Sequence, residues 1–494
     1  MAKQTAQFAL MLPPRESGTS ATRWLYNSLR FGILEGRLRA GARLPATRDL
    51  ARHYGLSRGT IVAAFDQLMS EGYVEASVGS GTYVTRVLPD RLLQVKSPSP
   101  SRAPAARHEP RRLSDYGRRV GLFPNFRVGP VRAFRTDQPA LDLFPTTLWA
   151  QVAGRRLRRA STDHLLACGP MGYPPLQQVV AEYLTTSRGV QCVAEQVAIV
   201  SGLQEALDLV ARLFLNPGDR VAMENPGYPG AALAFAAAGS IVVPVRVDDE
   251  GLNLAGSALD GARLVYVTPA HQFPLGVSMS LPRRFALLEW ARSSGAVIFE
   301  DDYDGEYRYS GRPLPALQGL DRHGQVIFAG SFSKVLFPSL RLGYLVVPPD
   351  LIDRIAATLS ITSRHAPLLD QAVLADFIAA GHFGRHLRRM REVYAERQSL
   401  LLECAKERLA GLLEISGIEA GLQTVGWLRC GIDGVSAAKA AVARDVELTP
   451  LSRYSRGNAY DHGLHLGFSA VDAQEIRRGV RELAVALESE SAAR

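Results

Sequence analysis

Between residues 19 and 85 apolar positions recur in short blocks at helical spacing; beyond residue 130 such blocks alternate with short, wholly apolar runs. In the first region, Arg23 to Leu34 places Trp24, Leu25, Leu29, Ile33 and Leu34 close to one helical face. Gly41 to Pro45 makes a turn, Thr47 can cap a short helix through about His53, and Gly55 supplies a tight bend. Ser57 caps a second helix, Arg58 to Met69, whose Ile61, Val62, Phe65, Leu68 and Met69 share the helical repeat. Gly72 to Ala76 and Thr82 to Val84 read as two short strands around Val78-Gly79-Ser80-Gly81.

Residues 86–125 lack that periodicity. Pro89, Pro98, Pro100, Pro104 and Pro110 make them an extended, flexible linker with no core of its own. From 130 to 494 helical patterns alternate with apolar strands at 197–200, 220–223, 241–247, 263–268, 296–300, 325–329 and 342–347. That alternation predicts an α/β body with a mostly parallel sheet in a large lobe at about 160–365. A long helical pattern, strands at 425–430 and 463–468 and a final helix predict a smaller α+β lobe at about 370–494.

Composition places the chain among multidomain globular proteins: 494 residues, 47% hydrophobic and 21% charged. Four scattered cysteines, none in CxxC spacing, argue against zinc and against a disulfide framework, and no metal site is expected. The apolar stretch at the start is too short for a secretory signal, and the Ala-rich run at 229–243 is too short to span a bilayer, so a cytoplasmic protein is expected. Charge is uneven. Residues 1–120 hold 19 Lys+Arg against 9 Asp+Glu, and the remainder is nearly balanced. A polyanion, most often nucleic acid, suits such a segment.

Helix, helix-turn-helix and hairpin is the order of a winged helix. The second helix of such a unit turns its N-terminal residues to base edges in the major groove. Here those are Ser57, Arg58, Gly59 and Thr60: the guanidinium suits guanine, and the hydroxyls and helix N-terminus suit phosphate. Arg43 and Arg48 flank them, and the hairpin tip at Gly79 and Ser80 could enter the minor groove. The stretch ILEGRLRAGARLPATRDLARHYGLSRGTIVAAFDQLMSEGYVEASVGSGTYV resembles the GntR-type winged-helix domain nearly end to end, which implies binding to double-stranded promoter DNA.

The chain has only five lysines against fifty-two arginines, and Lys334 is the only one between residues 97 and 405. Arginine serves wherever a positive charge suffices but cannot form an imine with an aldehyde, so Lys334 is a candidate for that reaction. It lies in Ser331-Phe332-Ser333-Lys334, after strand 325–329, with Arg341 following; the two hydroxyls and the guanidinium suit a phosphate. Strand 296–300 leads into Asp301 and Tyr303, able to serve a pyridine nitrogen and a ring phenolate, although an acidic strand end is also a common metal site or helix cap. Ser201-Gly202-Leu203-Gln204 opens a helix and offers amides to phosphate. Tyr228 follows strand 220–223 and could stack on a ring, while His271 and Gln272 follow strand 263–268 and could reach a ring oxygen.

Together these elements resemble a fold-type I, class I aminotransferase domain, and the whole chain resembles the MocR-type branch of GntR regulators. The resemblance implies pyridoxal 5′-phosphate as an internal aldimine on Lys334, Asp301 at the pyridine nitrogen, Tyr303 at the ring hydroxyl and Tyr228 stacking. It places Ser331, Ser333, Arg341 and the Ser201–Gln204 amides at the phosphate, and implies a homodimer. Two positions depart from the aminotransferase pattern. The arginine that holds the substrate carboxylate is replaced in Gly463-Leu464-His465-Leu466-Gly467-Phe468 by His465, with Arg453 and Arg456 in the preceding loop either as stand-ins or as solvated side chains. Ala167 stands where a tyrosine often reaches the partner's phosphate. The expectation is a regulator that senses an amine, amino acid or B6 vitamer at Lys334; the alternative is an active aminotransferase with an accessory DNA-binding domain.

Overall fold

The computed structural model describes residues 12–15, 18–77, 80–87, 111–123, 129–162, 166–309, 311, 314–429, 431–457 and 460–492. Gly79 and much of the expected linker lie outside the described residues. The chain divides into two compact units, one ending at Arg111 and one beginning at Arg112.

In the first unit, α1 (Ala21–Leu34) starts at Ser20, whose hydroxyl accepts from the Arg23 amide. In α2 (Thr47–Tyr54) the cap is Ala46 rather than Thr47, because Thr47 already has helical geometry; Gly55 ends the helix in the left-handed conformation. α3 (Arg58–Ser70) is capped by Ser57, which accepts from the Thr60 amide at 3.1 Å. β1 (Val74–Ser77) and β2 (Gly81–Val84) pair antiparallel as the wing. Leu25, Leu29 and Ile33 share one core with Ile61, Phe65 and Leu68. Leu34, Val62 and Met69 are exposed instead, since three short helices bury a narrower stripe than the apolar pattern offers.

The second unit holds an eight-stranded sheet of β3 (Val197–Val200), β4 (Arg220–Asn225), β5 (Ile241–Asp248), β6 (Gly251–Leu252), β7 (Ala262–Val267), β8 (Val297–Asp302), β9 (Val326–Ser331) and β10 (Gly343–Val346). Their order is β3-β10-β9-β8-β7-β4-β5-β6. The sheet is parallel from β9 to β5, but β10 runs antiparallel to both β3 and β9, and β6 to β5. Pairing of Ser331 with Gly343 closes the loop between them, which carries both Lys334 and Arg341. Helices Leu203–Phe214 and Ile352–Thr362 belong to one apolar layer and Leu281–Ser294 to another, so the strands are buried and near-continuously apolar.

The smaller lobe is an antiparallel sheet in the order β11-β12-β14-β13, built from β11 (Leu413–Ile415), β12 (Gln423–Leu428), β13 (Thr449–Pro450) and β14 (Gly463–Gly467). The chain near residue 134 joins it: Ala133 bridges to Val446 and Phe134 to Gly467. A side chain on Gly467 would overlap the Arg135 carbonyl, so glycine permits this close approach. The expected linker is also partly ordered. Ser114 caps a helical turn, Asp115–Arg119, and Arg119 Nε donates to the Ala237 carbonyl at 3.2 Å. A capped turn with a docking partner outweighs the local composition there. No helix among the described residues is long and apolar enough to cross a membrane.

Candidate functional site

The C-terminal ends of the parallel strands gather most of the candidate chemistry, as open α/β sheets do. After β9, Phe332–Val335 makes one helical turn capped by Ser331, whose hydroxyl accepts from the Ser333 amide at 3.2 Å. Lys334 Nζ donates to two atoms of Asp137, the carbonyl at 2.9 Å and Oδ1 at 2.8 Å. Asp137 is a site residue the sequence did not point to. Its φ of 68° lies in the left-handed region that non-glycine residues rarely enter, and its amide donates to Gln423 Oε1. Burial opposes its charge, but Lys334, His465 and Gln423 outweigh burial and hold its pKa below the ordinary carboxylate value.

At the end of β8, Asp301 Oδ2 accepts from the Tyr266 hydroxyl at 2.5 Å, while Oδ1 is buried without a partner among the described residues. Burial pushes the Asp301 pKa up to about 7, with Asp302 and Asp304 adding to it against the Tyr266 bond. Asp302 itself is structural, in a buried ion pair with Arg188 at 2.6 Å. Tyr303 Oη lies 3.0 Å from His271 Nδ1, which is also 3.0 Å from Asp304 Oδ1; His271 Nε2 is buried and unpartnered among the described residues. Gly421, at φ 100°, closes over this pair, where a Cβ would overlap the His271 ring. Gly421→Ala is therefore expected to destabilise the body by about 2 to 5 kcal/mol in denaturant unfolding. Gly384→Ala, at a helical position with open space around it, should stabilise by a fraction of that.

At the end of β3 lies a cup under Arg341. Gly202, at φ 94°, opens helix Leu203–Phe214, whose first amides have no acceptor within the helix. Arg341, itself at φ 51°, donates from Nη2 to the Ser201 carbonyl at 3.0 Å, and a Cβ on Gly202 would crowd that guanidinium. The Ser333 hydroxyl is buried without a partner among the described residues. The Ser201 amide, expected at a phosphate, donates instead to the Glu205 carboxylate. Tyr228 packs edge-on to Phe273 at 5.8 Å, with its hydroxyl 3.5 Å from Gln204 Oε1. Burial raises the Tyr228 pKa, Asp137 and Asp301 raise it further and Arg341 lowers it, so groups from three separate segments act on this one hydroxyl.

His465 is fully buried, with Nδ1 3.3 Å from the Tyr454 hydroxyl and Nε2 unpartnered among the described residues. Burial pushes its pKa down to about 4, leaving the ring neutral at neutral pH. Arg456 is exposed, as a loop arginine is expected to be, but it is tethered: Nη1 donates to the Val242 carbonyl at 3.0 Å and its amide to Asn225 Oδ1 at 2.8 Å. With Arg453 it lines a cavity of about 300 Å³ that also touches Leu122, Pro229 and Pro244. Gln272 is engaged within the fold, its amide donating to the Pro226 and Phe273 carbonyls. In the winged helix, Arg43, Arg48, Ser57, Arg58 and Gly59 are exposed. Thr60 Oγ1 lies 2.8 Å from Ser57 Oγ, and Ser80 Oγ donates to the Ser77 carbonyl at 3.4 Å.

Fold and site define a class, a GntR winged helix joined to an aminotransferase body. Residues 22–84 match the model of bacterial regulatory proteins of the gntR family, and residues 140–418 that of aminotransferase class I and II. The chain belongs to the MocR-type branch of these DNA-binding transcriptional regulators. It is 40% identical to the probable rhizopine catabolism regulatory protein MocR of Rhizobium meliloti, over 98% of this chain and 97% of that one. It is 30% identical to the pyridoxine biosynthesis transcriptional regulator PdxR of Corynebacterium glutamicum, over 98% and 99%. Among solved structures, the α-aminoadipate aminotransferase LysN of Thermus thermophilus superposes with a TM-score of 0.68 at 30% identity, covering 73% of this chain and 93% of that one. That enzyme was complexed with N-(5′-phosphopyridoxyl)-L-leucine, and the family implies dependence on pyridoxal phosphate. The residues present fit that group: a carboxylate oxygen on Asp301 and a Ser333 hydroxyl, both buried and unpartnered among the described residues, and a cup at Gly202 under Arg341.

Proposed function

We propose that this regulator holds pyridoxal 5′-phosphate on Lys334 and that an amine or B6 vitamer acting there alters its affinity for promoter DNA. When bound, the cofactor supplies an aldehyde that a primary amine can capture. The chain's own residues do the rest. Lys334 provides the amine, Asp301 holds a proton on the pyridine nitrogen, and Tyr303, oriented by His271, donates to the ring oxygen. Arg341, Ser333 and the helix start after Gly202 hold the phosphate. Two copies of the chain would present two winged helices to a two-fold promoter site.

The observation that carries the regulatory part is the docking of the linker's last segment on the site wall. Phe123 lies 6.2 Å from the Tyr228 ring, and Arg119 is bonded to the helix that Tyr228 precedes. An effector that shifts Tyr228 would thereby act on the chain leading to the DNA-binding unit, and a difference in this contact between two states is what coupling would require. The test is to load the full chain with the cofactor and measure promoter affinity with and without amines, alongside turnover of the same amines with an oxo acid. A change in promoter affinity without sustained turnover supports the proposal. Sustained turnover with unchanged affinity overturns it in favour of an aminotransferase.

DNA binding carries its own prediction. Arg58→Ala is expected to weaken specific binding by about 1 to 3 kcal/mol while sparing non-specific affinity, measured by titration on promoter and scrambled duplexes. Equal losses on both would make Arg58 a phosphate contact, with a shallower salt dependence.

A further inference from the structure

We propose that the effector is a hydroxylated primary amine without a carboxylate, and that Asp137 recognises its hydroxyl. The inference deepens the Lys334 reading and rests on it. Aminotransferases of this fold receive a carboxylate on an arginine, and here the corresponding position holds His465. The structure shows what that exchange does. His465 is buried and neutral, and the charged groups acting on it are Asp137, His271 and Lys334. Arg456 holds the Val242 carbonyl, and with Arg453 it lines a different cavity.

In place of a cation for the ligand, the chain brings an anion. The Asp137 side chain is 30% exposed and its carboxylate rests on Lys334 Nζ. Its φ of 68° is one that glycine adopts without strain, so an aspartate held there is maintained by its contacts. Lys334 Nζ bonds Oδ1 of the Asp137 carboxylate, and the carboxylate keeps further lone pairs that can accept from a ligand hydroxyl whether or not Lys334 is engaged by the cofactor. A ligand carboxylate would set like charge against Asp137, whereas a hydroxyl donates to it. His465 Nε2, buried and without a partner among the described residues, can accept or donate to a second hydroxyl.

The experiment uses the full chain loaded with pyridoxal phosphate and pairs of probes of equal length: 3-amino-1-propanol against β-alanine, and ethanolamine against glycine. Dissociation constants are read from the change in cofactor absorbance, with no turnover required. At least tenfold tighter binding of each amino alcohol is expected. Asp137→Gly, which the backbone accepts, should abolish that preference, and Asp137→Asn should reduce it without loss of fold by circular dichroism. His465→Arg should raise affinity for β-alanine tenfold or more. The proposal is overturned if wild type prefers the amino acids, if no amine shifts the spectrum, or if both Asp137 variants leave the preference unchanged. A chain that takes up no cofactor and shows no borohydride-fixed label overturns the Lys334 reading itself, and is recognised before any amine is added.

Discussion

Lys334→Arg is expected to abolish covalent retention of pyridoxal phosphate while leaving the fold intact. Arginine keeps a cation within reach of the Asp137 carbonyl and carboxylate, which Lys334 holds at 2.9 and 2.8 Å, but it cannot form an imine. Borohydride treatment of the loaded wild type should fix the cofactor on the peptide carrying Lys334, read by mass spectrometry, and the variant should carry none. Lysine scarcity makes the assay clean, since the body has only Lys406 and Lys439 besides. Label on either of those would refute Lys334 as the attachment point. Lys334→Ala should also lose the label and, in addition, leave Asp137 without its ion pair. Because both side chains are partly exposed, at 23% and 30%, that further loss should be only about 1 kcal/mol in denaturant unfolding.

The part of this site that could be read from sequence is the part that lies at strand ends. Lys334, Asp301, Tyr228 and Gly202 each follow an apolar run within five residues, so local pattern alone places them at one edge of the sheet. Asp137 lies 197 residues before Lys334 in a stretch with no motif, and it arrives only because Phe134 bridges to Gly467 in the other lobe. Only Gly467, a glycine inside an apolar strand, hinted at a close backbone approach. The direction of β10 was equally hidden, because a strand buried on both faces reads the same in either sense. Arg456 is exposed, as its loop setting suggests, but nothing local shows that the Val242 carbonyl tethers it. Composition likewise described the linker before its last turn was seen to dock on the helix after Tyr228. What sequence concealed is thus the long-range set, Asp137 above all, whereas His465 was legible as a departure from the aminotransferase pattern.

Asp301→Asn is expected to stabilise the cofactor-free protein at pH 8 and to weaken cofactor binding about a hundredfold. In the fold, burial keeps the Asp301 carboxyl protonated up to about pH 7, whereas its ordinary pKa is 3.8. Between those values unfolding releases the proton, so rising pH favours the unfolded chain, and above about 7 the full penalty is present. At the conversion of about 1.4 kcal/mol per pKa unit, the upper bound is about 4 kcal/mol at pH 8, shrinking toward zero near pH 4. Asparagine cannot ionise, is of similar volume, and its carbonyl can still accept from Tyr266. Glu224, Glu300 and Glu306, each pushed up to about 7 by burial, are common to both proteins and cancel in the comparison. On the proposed reading a bound cofactor would reverse the balance, because its protonated pyridine nitrogen would pair with the ionised carboxylate, and an amide in its place would forfeit a buried charge-assisted bond of about 2 to 3 kcal/mol. Denaturant midpoints of the cofactor-free proteins at pH 5 and pH 8, with a pyridoxal phosphate titration of each, decide the matter. Parallel pH profiles with equal cofactor affinity would remove Asp301 from the site. A gain in stability coupled to a loss of affinity would show that the buried carboxylate is held at a cost because the cofactor needs it.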